Sequence, residues 1–138
     1  MMKYFRHTVF DNNLFKLGVL TLLAVVLLET CADVFNWYYI FPNFDTPMHI
    51  LGGMLVGFFA LSYTRSDMNV LQKLLWVIVW SIAIGILVEV AEWALDHVFH
   101  LQVAFLMQPS NWDTITDILH DFIGGIIAYC VAYFARRV

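Results

Sequence analysis

Four stretches of this chain, residues 14–32, 48–63, 71–93 and 115–134, are apolar over nearly their whole length, and that pattern limits the fold more than any single motif does. A bilayer hydrocarbon core of about 30 Å is crossed by about 20 mostly apolar helical residues. Within lipid every backbone amide and carbonyl needs an internal partner, so runs of this kind form helices. The sequence therefore predicts an all-α fold, an integral membrane four-helix bundle in a single domain covering residues 1–138. The second run is the shortest and is expected to lean or to begin below the surface. Composition agrees, since 62% hydrophobic and 13% charged residues lie outside soluble-domain usage.

Orientation follows from the basic residues, which mark cytoplasmic segments. Lys3, Arg6 and Lys16 precede or open the first run, Arg65 and Lys73 flank the turn between the second and third, and Arg136 and Arg137 close the chain. The other two connections hold no Lys or Arg, so both termini are expected inside. The same N-terminal pattern fits a secretory signal, but Glu29 and Thr30 before Cys31 make a poor cleavage or lipidation site, and a retained signal anchor is expected. Cys31 and Cys130 fall at different depths, which argues against a disulfide.

Both outer connections are expected to carry interfacial segments. Phe35, Trp37, Tyr38, Tyr39, Phe41 and Phe44 suit the membrane surface, where rings with a polar edge are favoured. Residues 97–107 are too few to cross and read as an interfacial or re-entrant piece. Pro47 suits a first helical turn, with Asp45 or Thr46 as the cap. Gly53 and Gly57, with Gly52 beside them, and Gly124, Ala128 and Ala132 set small residues four apart on the second and fourth helices, a pattern for close packing.

Nine of the eleven acidic residues fall at the outer end: Glu29, Asp33, Asp45, Glu89, Glu92, Asp96, Asp113, Asp117 and Asp121, together with His49 and His120. Spacings of three and four put Glu89, Glu92 and Asp96 on one helix face and Asp117, His120 and Asp121 on another, with Asp45 and His49 four apart. At about 1.5 Å rise per residue, Glu92, Asp117 and His49 lie roughly 6 Å below Asp96, Asp113 and Asp45 respectively. Three helices thus present polar groups at matching levels.

A carboxylate at membrane depth costs at least about 2.5 kcal/mol on insertion scales, so such groups face a bundle interior or a wet cavity. No Lys or Arg is available there to balance them. Protons, the two imidazoles or a bound cation must supply the positive charge. An oxygen-rich set with one or two imidazoles suits zinc, manganese, iron or magnesium, as one divalent ion or as two sharing carboxylates. The expected ligands are Asp45, His49, Glu89, Asp117, His120 and Asp121. Glu92 is the candidate general base, and Glu29, Asp33, Asp96 and Asp113 form an additional polar set. Hydrogen-bonded pairs holding helices together would place the same residues inside equally well.

Asp45 and His49 opening one helix, Glu89, Glu92 and Trp93 closing the next, and Trp112, Asp113, Asp117, Asp121, Gly124 and Gly125 on the last resemble the YjdF-type inner-membrane proteins and, more distantly, the VanZ-like family. The likeness covers residues 45–128. It implies a bacterial cytoplasmic-membrane protein, and the association of VanZ-like members with glycopeptide-antibiotic resistance implies envelope chemistry. Glu92, where VanZ-like proteins usually carry an amide, and the added His120 and Asp121 depart from that pattern and favour an acidic site.

The resulting expectation is a metal-dependent hydrolase or transferase acting on a membrane lipid or lipid-linked substrate at the outer face. Two other readings share the residues: a proton or divalent-cation transport or sensing module, and a structural partner in an envelope complex. A homo-oligomer is compatible with either. There is no basic patch for nucleic acid.

Overall fold

The computed structural model describes residues 8–97 and 111–135. They form β1 (Thr8–Phe10), α1 (Asn12–Val34), α2 (Trp37–Ile40), α3 (Asp45–Ser62), β2 (Tyr63–Arg65), α4 (Val70–His97) and α5 (Asn111–Ala135). The expected piece at residues 97–107 lies, apart from His97, outside the described residues.

Three helices, α1, α4 and α5, are long and apolar enough to cross a membrane. Helix α3 is not, because its 18 residues extend only about 27 Å and Asp45, Thr46, Pro47 and His49 occupy its first turns. It is nevertheless the helix that packs on all three others, with α4 and α5 also packed together. The outer faces carry Leu20, Leu23 and Leu27 of α1, Val79, Leu87 and Val90 of α4 and Leu119 of α5, all exposed. The largest side chains wholly enclosed are only Val77, Ser62 and Ser81. Small and polar residues inside with branched apolar residues outside is the arrangement that lipid, rather than water, rewards.

Close approach of α3 and α5 depends on glycine. A Cβ on Gly53 would meet the carbonyl oxygen of Asp121 and, at 2.8 Å, its Cα. One on Gly124 would meet the Ile50 carbonyl oxygen and the Met54 amide nitrogen, the latter at 2.8 Å. One turn further on, Gly57 faces Ala128 in the same way.

Two local features depart from expectation. The fold is not wholly helical, because β1 and β2 pair antiparallel with Thr8 opposite Arg65 and Phe10 opposite Tyr63. Tyr63 is therefore in a strand rather than at the end of a span. Open backbone groups on both sides of the α1–α3 pair find partners in this way, and the Asp11 amide donates to the Ser62 carbonyl at 2.9 Å beside them. In addition, neither Asp45 nor Thr46 caps α3. The helix begins at Asp45 behind Phe44, which gives no side-chain cap, because the α2 turn runs into it through the Phe44 amide bonded to the Phe41 carbonyl. The Asp45 carboxylate is left to face His49.

At the ribbon end, Asp11 caps α1 by accepting from the amides of Asn13 and Leu14 at 3.0 and 3.1 Å. Asp11→Ala is expected to lower stability by about 1 kcal/mol, readable as an earlier unfolding midpoint in mixed micelles. The Trp76 indole N–H donates to the Ala60 carbonyl and the Tyr129 hydroxyl to the Val70 carbonyl, each at 3.0 Å. These bonds bring the C-terminal half of α5 and the start of α4 to the end of α3 that leads into β2. Lys16, Arg65 and Lys73 gather at this end, opposite the acidic one.

Candidate functional site

At the other end, the start of α3, the end of α4 and the first half of α5 bring the acidic stripes together around one imidazole. His49 is 8% exposed, Glu89 3%, and Asp117 and Asp121 5% each, so these groups belong to the interior rather than to a solvated rim. The His49 Nδ1 lies 3.3 Å from Asp121 Oδ2. Its Nε2 lies 3.5 Å from Asp45 Oδ2 and 3.9 Å from Glu89 Oε1. Each ring nitrogen therefore addresses a different helix set.

Two groups of ligand-type atoms lie within 4.8 Å of one another: Asp45, His49 and Asp117, and His49, Glu89 and Glu92. His49 belongs to both. Asp121 and His120 belong to neither. Asp121 instead meets the back of the His49 ring, while His120, a quarter exposed, sets Nδ1 3.6 Å from Asp117 Oδ1. Asp113 is half-buried in the first turn of α5. Asp33 is exposed, and the Asp96 side chain lies outside the described part of the chain.

The room for Asp121 comes from two glycines that the sequence reading passed over or treated only as packing residues. A Cβ on Gly85 would meet Asp121 Oδ2, and one on Gly52 would stand 3.3 Å from Oδ1. Gly85, Glu89 and Glu92 share a face of α4 by their spacing. A residue without a side chain within an acidic stripe was the available signal that a group from another helix enters there.

Helix α1 joins the site through Glu29, whose Oε2 accepts a 2.8 Å hydrogen bond from the Tyr38 hydroxyl of α2. Burial, reinforced by the Glu29 carboxylate, raises the Tyr38 hydroxyl above the ordinary phenol range, so it remains a donor. Tyr38 also packs edge-on against Phe44 at 5.4 Å, and Phe44 against Trp37 at 5.3 Å. The aromatic segment is thus more than a surface anchor, since one of its rings reaches the acidic end. Both Glu29 and Tyr38 line a cavity of about 240 Å³ with Asp45, His49, Glu92 and Asp121.

Among the described residues no Lys or Arg lies at this end, so carboxylates outnumber the imidazoles around the cavity. Chemically the arrangement offers one nitrogen and several oxygens to a hard or borderline cation, or a set of carboxyl groups able to share protons.

Comparison with curated proteins and with solved structures gives no match. A family model described as predicted membrane protein, DUF2238, matches residues 4–138. Apolar helices with outward-facing leucines and valines and a buried polar interior agree with that description, and the chain belongs to this family of membrane proteins.

Proposed function

We propose that this protein holds a divalent cation near the outer face of the bacterial cytoplasmic membrane and uses it in hydrolysis or group transfer on a lipid or lipid-linked envelope molecule. Four spans with both termini inside belong to the same reading, in which α3, too short and polar to cross lipid by itself, does so as the short fourth because it packs on all three other helices. The positive-inside distribution of all seven basic residues supports the orientation.

The observation that carries the cation is the division of labour on His49. A metal-binding imidazole typically donates its other ring N–H to a carboxylate, which fixes tautomer and orientation. With Nδ1 donating to Asp121, the Nε2 lone pair is directed to the side where Asp45, Glu89, Glu92 and Asp117 converge. Because both ligand-distance groups share His49, the geometry favours one ion over two. Asp121 then becomes an orienting residue, and His120 a support for Asp117.

A divalent cation supplies electrostatic polarisation of a substrate oxygen in such a site. Glu92, half-buried on the cavity wall, has the position of a general base, able to hold a proton taken from an attacking water. The likeness to VanZ-like proteins supports an envelope substrate. A transport path receives less support, because the helices below the cluster pack Val77, Ala128 and Ala132 into one apolar core and, among the described residues, offer no further acidic step.

Elemental analysis of the purified chain is expected to return close to one equivalent of zinc, manganese, iron or magnesium. A metal-free preparation that takes up none of the four in equilibrium dialysis would remove the reading.

A further inference from the structure

The cavity below His49 has a shape that the cation alone does not explain. Its polar end is the cluster just described, but its walls continue inward through Val25 of α1, Leu55 and Val56 of α3, and Ile84 and Val88 of α4. At the rise of a helix, Leu55 lies about 9 Å deeper than His49, Val88 about 6 Å and Ile84 about 12 Å deeper than Glu92. The cavity is therefore polar at one end and wholly apolar at the other, along the direction in which a lipid is also polar at one end.

It is also open at the side. Helix α1 packs along α3, and α4 along α3 and α5, while no comparable packing joins α1 to α4 among the described residues. Val88 lines the cavity and is still 40% exposed, which puts the mouth between α1 and α4. The flanking surfaces, Leu22 and Val26 on α1 and Leu87 on α4, are exposed and apolar. Whatever enters through this mouth comes from the hydrocarbon phase. At about 240 Å³ the space is below the usual range for a drug-sized ligand, roughly 300–1,000 Å³, and suits one chain rather than two.

We infer that the cleft between α1 and α4 is a lateral binding site for one acyl chain of a membrane phospholipid, whose polar head is thereby delivered to the His49 cluster beneath the Tyr38–Glu29 hydrogen bond. The inference deepens the proposed function and rests on it for what happens to the head, while the chain site itself stands on the apolar walls alone. The second acyl chain stays in the bilayer against the outer faces of α1 and α4.

The test uses the full chain in nanodiscs containing a phospholipid with a mid-chain diazirine, followed by exchange against probe-free vesicles, irradiation and peptide mapping. Cross-links at Val25, Val56 and Val88 are expected to survive exchange that removes those at outward positions such as Leu23. Val56→Trp and, from a different helix, Val25→Trp should each lower the retained fraction at least fivefold, and Leu23→Trp should leave it unchanged. His49→Ala should lose metal and keep cross-linking in the apolar cleft, whereas unsubstituted protein that binds no metal but retains the lipid would overturn the cation reading and not this one. Cross-links in the cleft that wash out as fast as those at Leu23, or that neither tryptophan reduces, would overturn the lipid site.

Discussion

Gly124→Ala is expected to prevent α5 from docking on α3 and so to abolish the folded state in detergent, with a loss greater than about 3 kcal/mol. The added methyl would meet main-chain atoms of Ile50, Met54 and Gly53, and no rotamer change can move them aside. Relief requires the two helices to separate, which would also pull Asp121 from between Gly52 and Gly85 and open the interior around Ser81. Gly18→Ala is the matched comparison. There the new methyl meets the Phe59 ring at 2.9 Å, a side chain that can shift, and a loss near 1–2 kcal/mol is expected. Size-exclusion profiles and unfolding midpoints of the two variants check the difference. Equal behaviour would mean that the α3–α5 seam is looser than the structure requires.

His49→Ala is expected to remove bound metal, lowering affinity by more than the 10- to 100-fold typical of losing an outer-sphere partner. It deletes the one group common to both ligand-distance sets, whereas Asp121→Asn keeps the ring and alters only what holds it. Asp121→Asn should therefore fall within the 10- to 100-fold range, and His120→Ala below it, because His120 meets the site only through Asp117. Metal content and affinity measured on folded, monodisperse protein give the ranking. If the cluster merely ties helices together, His49→Ala would lower the unfolding midpoint and leave metal content unchanged.

Much of this was readable from periodicity. The three long apolar helices, the glycine and alanine faces of α3 and α5 and the matching depths of His49, Glu92 and Asp117 all follow from counting residues along a helix. Counting does not reveal which helix lies in the middle. Helix α3 has the weakest apolar signal because Asp45, Thr46, Pro47 and His49 occupy its first turns, and the same turns carry Asp45 and His49 into the acidic cluster. The roles within the cluster were equally hidden. Asp117 and Asp121 are one turn apart and look equivalent in sequence, yet one lies beside Asp45 and the other behind the His49 ring, a difference set by the empty positions at Gly52 and Gly85. The Tyr38 bond to Glu29 depends on the chain reversing through Asn36, whose backbone is left-handed at φ 54°. The β1–β2 ribbon is three residues on each side with no turn between them, and no local pattern announces a pairing across more than fifty residues.

That ribbon bears on biogenesis. Its two halves flank α1 and α3, so in the four-span reading proposed above the leading half emerges first and waits unpaired while the rest is threaded and returned. On that reading, pairing can occur only after Arg65 has come back to the side of the membrane that kept Thr8. In that reading the ribbon is a late clasp, closing once α1 and α3 have inserted as a hairpin, and a chain that failed to return would have no means of fastening it.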